Sequence, residues 1–157
     1  MKNNKWEPYI LFIALTEAVG VLAGWLTRSG IEAYNALPKP PLTPPNTVFP
    51  IVWTVLYALM GIGAARIWMA PPSQARSYSL RLFAVQLVVN FFWSIFFFNL
   101  QAFGFSFLWL VLLWVLIVLM ILSYSKVDKL AAWLQVPYLL WVTFAGYLNY
   151  ATWLLNR

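Results

Sequence analysis

The chain has 157 residues, 63% of them hydrophobic, 19% aromatic and only 9% charged, with a net charge of +6. That profile lies far outside that of a soluble domain, so the chain reads as an integral membrane protein. Cysteine and histidine are absent, which excludes disulfides, thiolate and imidazole metal sites, Ser-His-Asp chemistry and the commonest axial ligands of haem.

No repeat with a period of roughly 20–50 residues is visible, and no charge block marks a second unit. One domain over 1–157 is expected. The basic residues are scattered near the ends of apolar segments, as topology and lipid headgroup contacts require, so lipid is an expected partner and nucleic acid is not.

Lys2 and Lys5 precede the first apolar segment, about 9–26, close to the roughly 20 residues needed to cross hydrocarbon. It is longer than a signal-peptide core and is expected to be retained. Gly20 and Gly24 form a GxxxG pair, a weak signal for close helix contact on its own. Glu17 lies near the middle of the span, where a carboxylate costs about 2.5–3.5 kcal/mol, so a neutral, hydrogen-bonded acid facing the bundle interior is preferred over a proton relay.

Residues 28–46 form a linker too long to be a passive connection. Ile31–Leu37 is expected to make a short helix presenting Tyr34, followed by a proline strap. Prolines 40, 41, 44, 45 and 50 fall within eleven residues; each fixes its own φ and drives the preceding residue out of the α region. Lys39, Pro40, Pro41, Pro44 and Pro45 are therefore expected to form a stiff, extended lid. The second span, about 47–69, places Trp53, Tyr57, Met60 or Gly61, and Ala64 on one face, which would form one wall of a pocket.

Pro71 and Pro72 end that span, and Ser73–Ser79 reads as a polar turn. The third span, about 80–100, sets Gln86, Asn90 and Trp93 on a common face that must point into the bundle, because polar groups in lipid need partners. For Gln86 the reading is structural hydrogen bonding. The fourth span, about 105–124, is so uniformly apolar that it reads as lipid-facing scaffold. The fifth, about 130–155, carries Pro137, expected to kink it, then Trp141, Ala145, and Leu148 or Asn149 at helical spacing. Ala145 leaves room for something flat; plain helix packing is an equal reading.

Three stretches, 39–57 (KPPLTPPNTVFPIVWTVLY), 86–97 (QLVVNFFWSIFF) and 137–149 (PYLLWVTFAGYLN), resemble the TspO, or tryptophan-rich sensory protein, family, which includes the translocator protein or peripheral benzodiazepine receptor. The resemblance covers about Glu17–Asn149, nearly the whole chain. It implies an all-α bundle of five transmembrane helices whose long, proline-rich first loop closes over a pocket for porphyrins, sterols and benzodiazepine-site ligands. By position, the implied ligand-binding residues are Ala23, Tyr34, Trp53, Tyr57, Asn90, Trp93, Trp141, Phe144, Ala145 and Leu148. No obligatory cofactor is implied; porphyrin or haem would be a ligand. A homodimer is a further expectation.

The chain departs from the family where loop tryptophans are common, having Ala33, Leu42 and Thr47 instead, which weakens any case for light-dependent porphyrin breakdown. A sterol-contact pattern fails near Tyr150 but is matched by Leu122, Tyr124 and Lys126. The expected function is a sensor or transport-type protein for flat hydrophobic ligands. Its tryptophans would wall in the ring, Tyr34, Tyr57 and Asn90 would offer hydrogen bonds, and Arg28 or Lys39 would meet propionates. The alternatives are a light- or redox-dependent porphyrin-modifying enzyme and a transporter. Seven of the ten basic residues fall on the side of the N-terminus and three on the other, so the expected location is a bacterial cytoplasmic membrane with the N-terminus inside and the C-terminus outside.

Overall fold

The computed structural model describes residues 5–157. These residues form helices and connections, with no strand among them. The elements are α1 (Glu7–Leu26), α2 (Arg28–Asn35), α3 (Val48–Met69), α4 (Gln74–Ser94) continued by a π-helical turn (Ile95–Asn99), α5 (Phe103–Ser125), α6 (Lys129–Trp133) and α7 (Val136–Leu155). Among the described residues, four segments are long and apolar enough to cross a membrane: α1, α3, α4 with its π-helical turn, and α5. At 20 residues α7 is as long as α1, but it is diluted by Pro137, Asn149, Tyr138, Tyr147 and Tyr150.

The ends of these helices follow local chemistry. Pro8 and Pro137 sit in the first turns of α1 and α7, where a missing N–H costs nothing. The Ser73 side chain accepts a hydrogen bond from the Arg76 N–H at 3.0 Å and starts α4 at Gln74. The expected turn at Ser73–Ser79 is thus already helix. Asp128 caps α6 by accepting from the Ala131 N–H at 3.1 Å, and it also pairs with Arg66 of α3 at 3.0 Å.

Three further expectations are corrected. The fifth segment is not one kinked helix: α6 ends at Trp133, and α7 restarts at Val136 with Pro137 in its first turn. The short helix expected at Ile31–Leu37 is present, but it runs Arg28–Asn35, because α2 follows α1 with Thr27 alone between them. The proline strap is non-helical, but it is not extended throughout as expected: Pro41 and Leu42 form a turn, with Leu42 at φ 71° and the Thr43 hydroxyl donating back to the Pro40 carbonyl at 2.7 Å.

Helix α1 packs mainly on α3, α4 on α5, and α5 on α7. The core runs between them through Met60 and Ala64 of α3, Phe83 of α4, Leu113, Ile117 and Met120 of α5, and Val142 of α7. Helix α5 is therefore more than lipid-facing scaffold. One of its faces is buried, even though periodicity could not show it in a segment apolar all round. Tyr124 lies on that buried face with no exposure, so the tyrosine of the 122–126 sterol pattern points into the bundle rather than toward lipid.

The α1–α3 crossing is set by small residues. A Cβ at Gly61 would lie 2.5 Å from the Ile13 Cα, and one at Gly20 would lie 2.6 Å from the Tyr57 ring. At Gly24 a Cβ would meet nothing within 4 Å. The GxxxG pair therefore does two different jobs: Gly20 lets α3 approach, and Gly24 borders open space. Gly61→Ala should lower stability in detergent by about 1–3 kcal/mol through overpacking. Gly24→Ala should leave it unchanged or raise it by up to about 1 kcal/mol. Thermal unfolding of the two variants side by side checks the contrast.

Candidate functional site

A single buried polar ladder joins α3, α4 and α7. The Tyr57 hydroxyl donates to Asn90 Oδ1 at 2.9 Å, Asn90 Nδ2 donates to the Tyr138 hydroxyl at 2.6 Å, and Tyr138 donates to Gln86 Oε1 at 2.7 Å. Gln86 Nε2 closes the chain on the Phe83 carbonyl at 3.1 Å. All four side chains are buried, and an unpaired group there would carry the full cost of desolvation. The common face of Gln86 and Asn90 thus has a structural use.

Beside this ladder, at the α2 end of the bundle, lies a cavity of about 370 Å³ between α1, α2, α3, α4 and α7. Its walls are mainly apolar and aromatic. Trp93 stacks on Phe97 at 5.1 Å, with its indole N–H donated to Asn149 Oδ1 at 3.0 Å. Trp53 lies 5.5 Å from the Tyr57 ring. Trp141 meets Phe49 edge-on at 5.8 Å, and its buried Nε1 has no hydrogen-bond partner.

The π-helical turn shapes one side of the cavity. Its i→i+5 geometry appears in the Leu100 N–H bond to the Ile95 carbonyl at 3.1 Å, and it carries Phe97 and Phe98 onto the wall. Tyr34 of α2 packs between those rings at 5.3 and 5.5 Å. Burial pushes the Tyr34 phenol up, and a hydrogen bond with the Thr152 side chain partly offsets this. A Cβ at Gly30 would lie 2.6 Å from the Phe98 backbone, so a glycine is what allows α2 to dock here.

Of the ten residues expected to bind ligand, eight line this cavity: Ala23, Tyr34, Trp53, Tyr57, Trp93, Trp141, Ala145 and Leu148. Asn90 and Phe144 do not. Asn90 lies behind Tyr57 with its amide engaged on both sides, and Phe144 packs at 5.6 Å against Trp141. Tyr57 offers the cavity its ring rather than its hydroxyl.

The two cations expected at the mouth are also off the wall. Arg28 donates to the Trp25 carbonyl at 2.6 Å and lies over that indole at 4.7 Å. Lys39 donates to the Asn35 carbonyl at 2.8 Å and lies 5.3 Å from the Tyr34 ring centre. Glu17 does line the cavity, yet no hydrogen bond or ion pair reaches its carboxyl among the described residues; the hydrogen-bonded acid expected there is not found.

Pro40, Pro41, Pro44 and Pro45 do not form cavity wall either, whereas Asn46, Phe49 and Pro50 just beyond them do. The strap is tied down elsewhere. The Tyr147 hydroxyl donates to the Pro41 carbonyl at 2.8 Å, and Asn156 Nδ2 donates to the Pro38 carbonyl at 3.3 Å. Ala33, Leu42 and Thr47, which stand where loop tryptophans are common, are all exposed.

Sequence reasoning missed Tyr138, Phe49 and the π-helical turn. For Tyr138 a signal existed, since 138, 142, 145, 149 and 152 fall on one helical face with three polar members. Among the described residues no group of three or more His, Cys, Asp or Glu could hold a metal ion.

The sequence model of the TspO/MBR family matches residues 12–154. Tryptophan-rich protein TspO of Chlorobaculum tepidum is 39% identical over 159 residues, covering 98% of this chain and 99% of that one. Protein CrtK of Rhodobacter capsulatus is 41% identical over 124 residues, 78% of each chain. The translocator protein of Bos taurus is 34% identical over 155 residues, 97% of this chain and 92% of that one.

Two tyrosines test the accounting of the polar ladder. Tyr138→Phe leaves Asn90 Nδ2 and Gln86 Oε1 without their partner and should destabilise the fold by about 1–3 kcal/mol for each group orphaned. The hydroxyl of Tyr124 is buried with no partner, so Tyr124→Phe should be neutral or stabilising. Denaturant unfolding in micelles distinguishes them.

Proposed function

Because the chain belongs to the TspO/MBR family of membrane proteins, we propose that it is a ligand-binding sensor or transport-type protein for flat hydrophobic molecules, chiefly tetrapyrroles and secondarily sterols. The names of its relatives, sensory protein and translocator protein, favour binding and passage over chemistry. The observation that carries the reading is the cavity, bordered by Trp53, Trp93 and Trp141 on three different helices. Three indoles around one cavity supply large apolar faces for a planar ring, at a size within the usual range for small-molecule sites.

In this reading α7 is the fifth span, joining the four that meet the length and apolarity of a membrane crossing. The strap then lies outside the membrane with the C-terminus, and the richer set of Lys and Arg lies inside. Affinity comes from stacking and burial, because the chain has no His or Cys to ligate a metal. Free-base porphyrin and haem should consequently bind with similar affinity.

Fluorescence titration with both tetrapyrroles tests this. Trp141→Ala should weaken binding of each by about 1–3 kcal/mol, the stacking and burial expected of one large aromatic. Trp114→Ala, on a residue of α5 whose indole N–H bonds Thr143 at 2.9 Å outside the cavity, should not. Equal losses at both positions would remove the case for a local site.

The strap acts as a lid that is latched to α7 rather than sealed by its own prolines. Tyr147→Phe removes the bond to the Pro41 carbonyl and should raise the rate of ligand release severalfold, a change of about 0.5–1.5 kcal/mol, with the fold intact. Stopped-flow fluorescence beside thermal unfolding reads both quantities. An unchanged release rate would make the strap only a connector.

A further inference from the structure

We propose that the cavity selects organic cations, specifically flat aromatic rings bearing a protonated nitrogen, and that Glu17 is the counter-charge that sets this preference. The inference rests on the reading of the cavity as a ligand site and adds the charge of the ligand to it.

Among the described residues, Glu17 is the only Asp, Glu, Lys or Arg on the cavity wall. It is held in position by its neighbours along α1. The Thr16 hydroxyl donates to the Tyr57 carbonyl at 2.7 Å, and Gly20, one turn further on, rests against the Tyr57 ring. Glu17 therefore sits beside the Trp53–Tyr57 pair on the same space.

Among the described residues no lysine or arginine lines the cavity, and three of the chain's cations are held elsewhere. Lys39 is held by the Asn35 carbonyl, Arg28 by the Trp25 carbonyl, and Arg66 by Asp128 at the far end of α3. The nearby amide and phenol donors, Asn90 and Tyr57, donate within the ladder, and the indole of Trp93 donates to Asn149.

A carboxyl in a span with no partner is costly unless it takes up a proton or meets a positive charge, and a cation entering the cavity would supply the second. The rest of the wall suits the same ligand. The faces of tryptophan and tyrosine carry negative electrostatic potential and attract cations, most strongly when water is excluded. A cage of Trp53, Tyr57, Trp93 and Trp141 with one carboxylate and no lysine or arginine favours a cation over an anion of the same shape. A tetrapyrrole with acidic substituents would accordingly turn them away from Glu17.

The test is a titration of the full chain in neutral detergent with two tricyclic probes of near-equal shape, proflavine as the cation and acridine as its neutral parent, at a mildly alkaline pH. The wild-type protein should bind proflavine at least about tenfold more tightly than acridine, and Glu17→Gln should collapse that ratio toward unity. Gly24→Lys supplies a second variant, because it adds an ammonium two turns along the same helix face into space with nothing within 4 Å of the new Cβ. It should also abolish the preference, which keeps the inference testable if Glu17→Gln fails to fold. No cation preference in the wild type, or a preference that survives in both variants, overturns it. Binding of acridine and free-base porphyrin without such a preference overturns this inference alone. Failure of all the probes to bind overturns the ligand-site reading as well.

Discussion

A membrane bundle has no water to pair its buried polar groups, so each one inside must find a partner in the chain. At the centre of this protein Tyr57, Asn90, Tyr138 and Gln86 meet that constraint, linking α3, α4 and α7 through three side-chain hydrogen bonds, whereas the buried Tyr124 hydroxyl and Trp141 Nε1 have no partner. Apolar contacts between helices have no hydrophobic advantage over contacts with lipid tails, whereas directional bonds do fix rotation and depth. The ladder sets how each of the three helices is turned. Trp53 lies one turn before Tyr57 and Trp93 one turn after Asn90, so the same rotation that satisfies the ladder presents both indoles to the cavity.

This arrangement has a consequence for recognition. Because the ladder uses the polar tips of Tyr57 and Asn90, and Asn149 uses the indole N–H of Trp93, Tyr57 and Trp93 offer the cavity their aromatic faces rather than hydrogen-bond donors. Two wall groups stand out: the Nε1 of Trp141 on α7, buried without a partner, and the carboxyl of Glu17 on α1, which no hydrogen bond or ion pair reaches among the described residues.

Much of this was legible in the sequence, for identifiable reasons. The span-scale apolar runs, the strap prolines and the helical spacing of Trp53 with Tyr57 and of Gln86 with Asn90 and Trp93 are local signals, and local signals survive without coordinates. What was hidden is three-dimensional. That Asn90 faces Tyr57 rather than a ligand depends on how α3 and α4 are turned toward each other. The buried face of α5 was invisible because every face of that helix is apolar, and Tyr124 sits within it. The π-helical turn leaves no mark in a run of phenylalanines, yet it is what brings Phe97 and Phe98 to Tyr34.

The strap shows most plainly how composition and placement divide the work. Its prolines hold it out of helix, but they do not position it, since none of Pro40, Pro41, Pro44 or Pro45 lines the cavity. Between them Leu42 adopts φ 71°, in the left-handed region, with its side chain 78% exposed. For a residue other than glycine that conformation costs roughly 1–2 kcal/mol, and an exposed side chain gains no packing to offset it. The compensating bonds flank it: Thr43 donates to the Pro40 carbonyl at 2.7 Å, and Tyr147 donates to the Pro41 carbonyl. A segment whose strain is balanced by a few surface hydrogen bonds lies at the low end of local stability. The ladder lies at the other end, buried and fully paired, so releasing the strap costs far less than parting α3, α4 and α7.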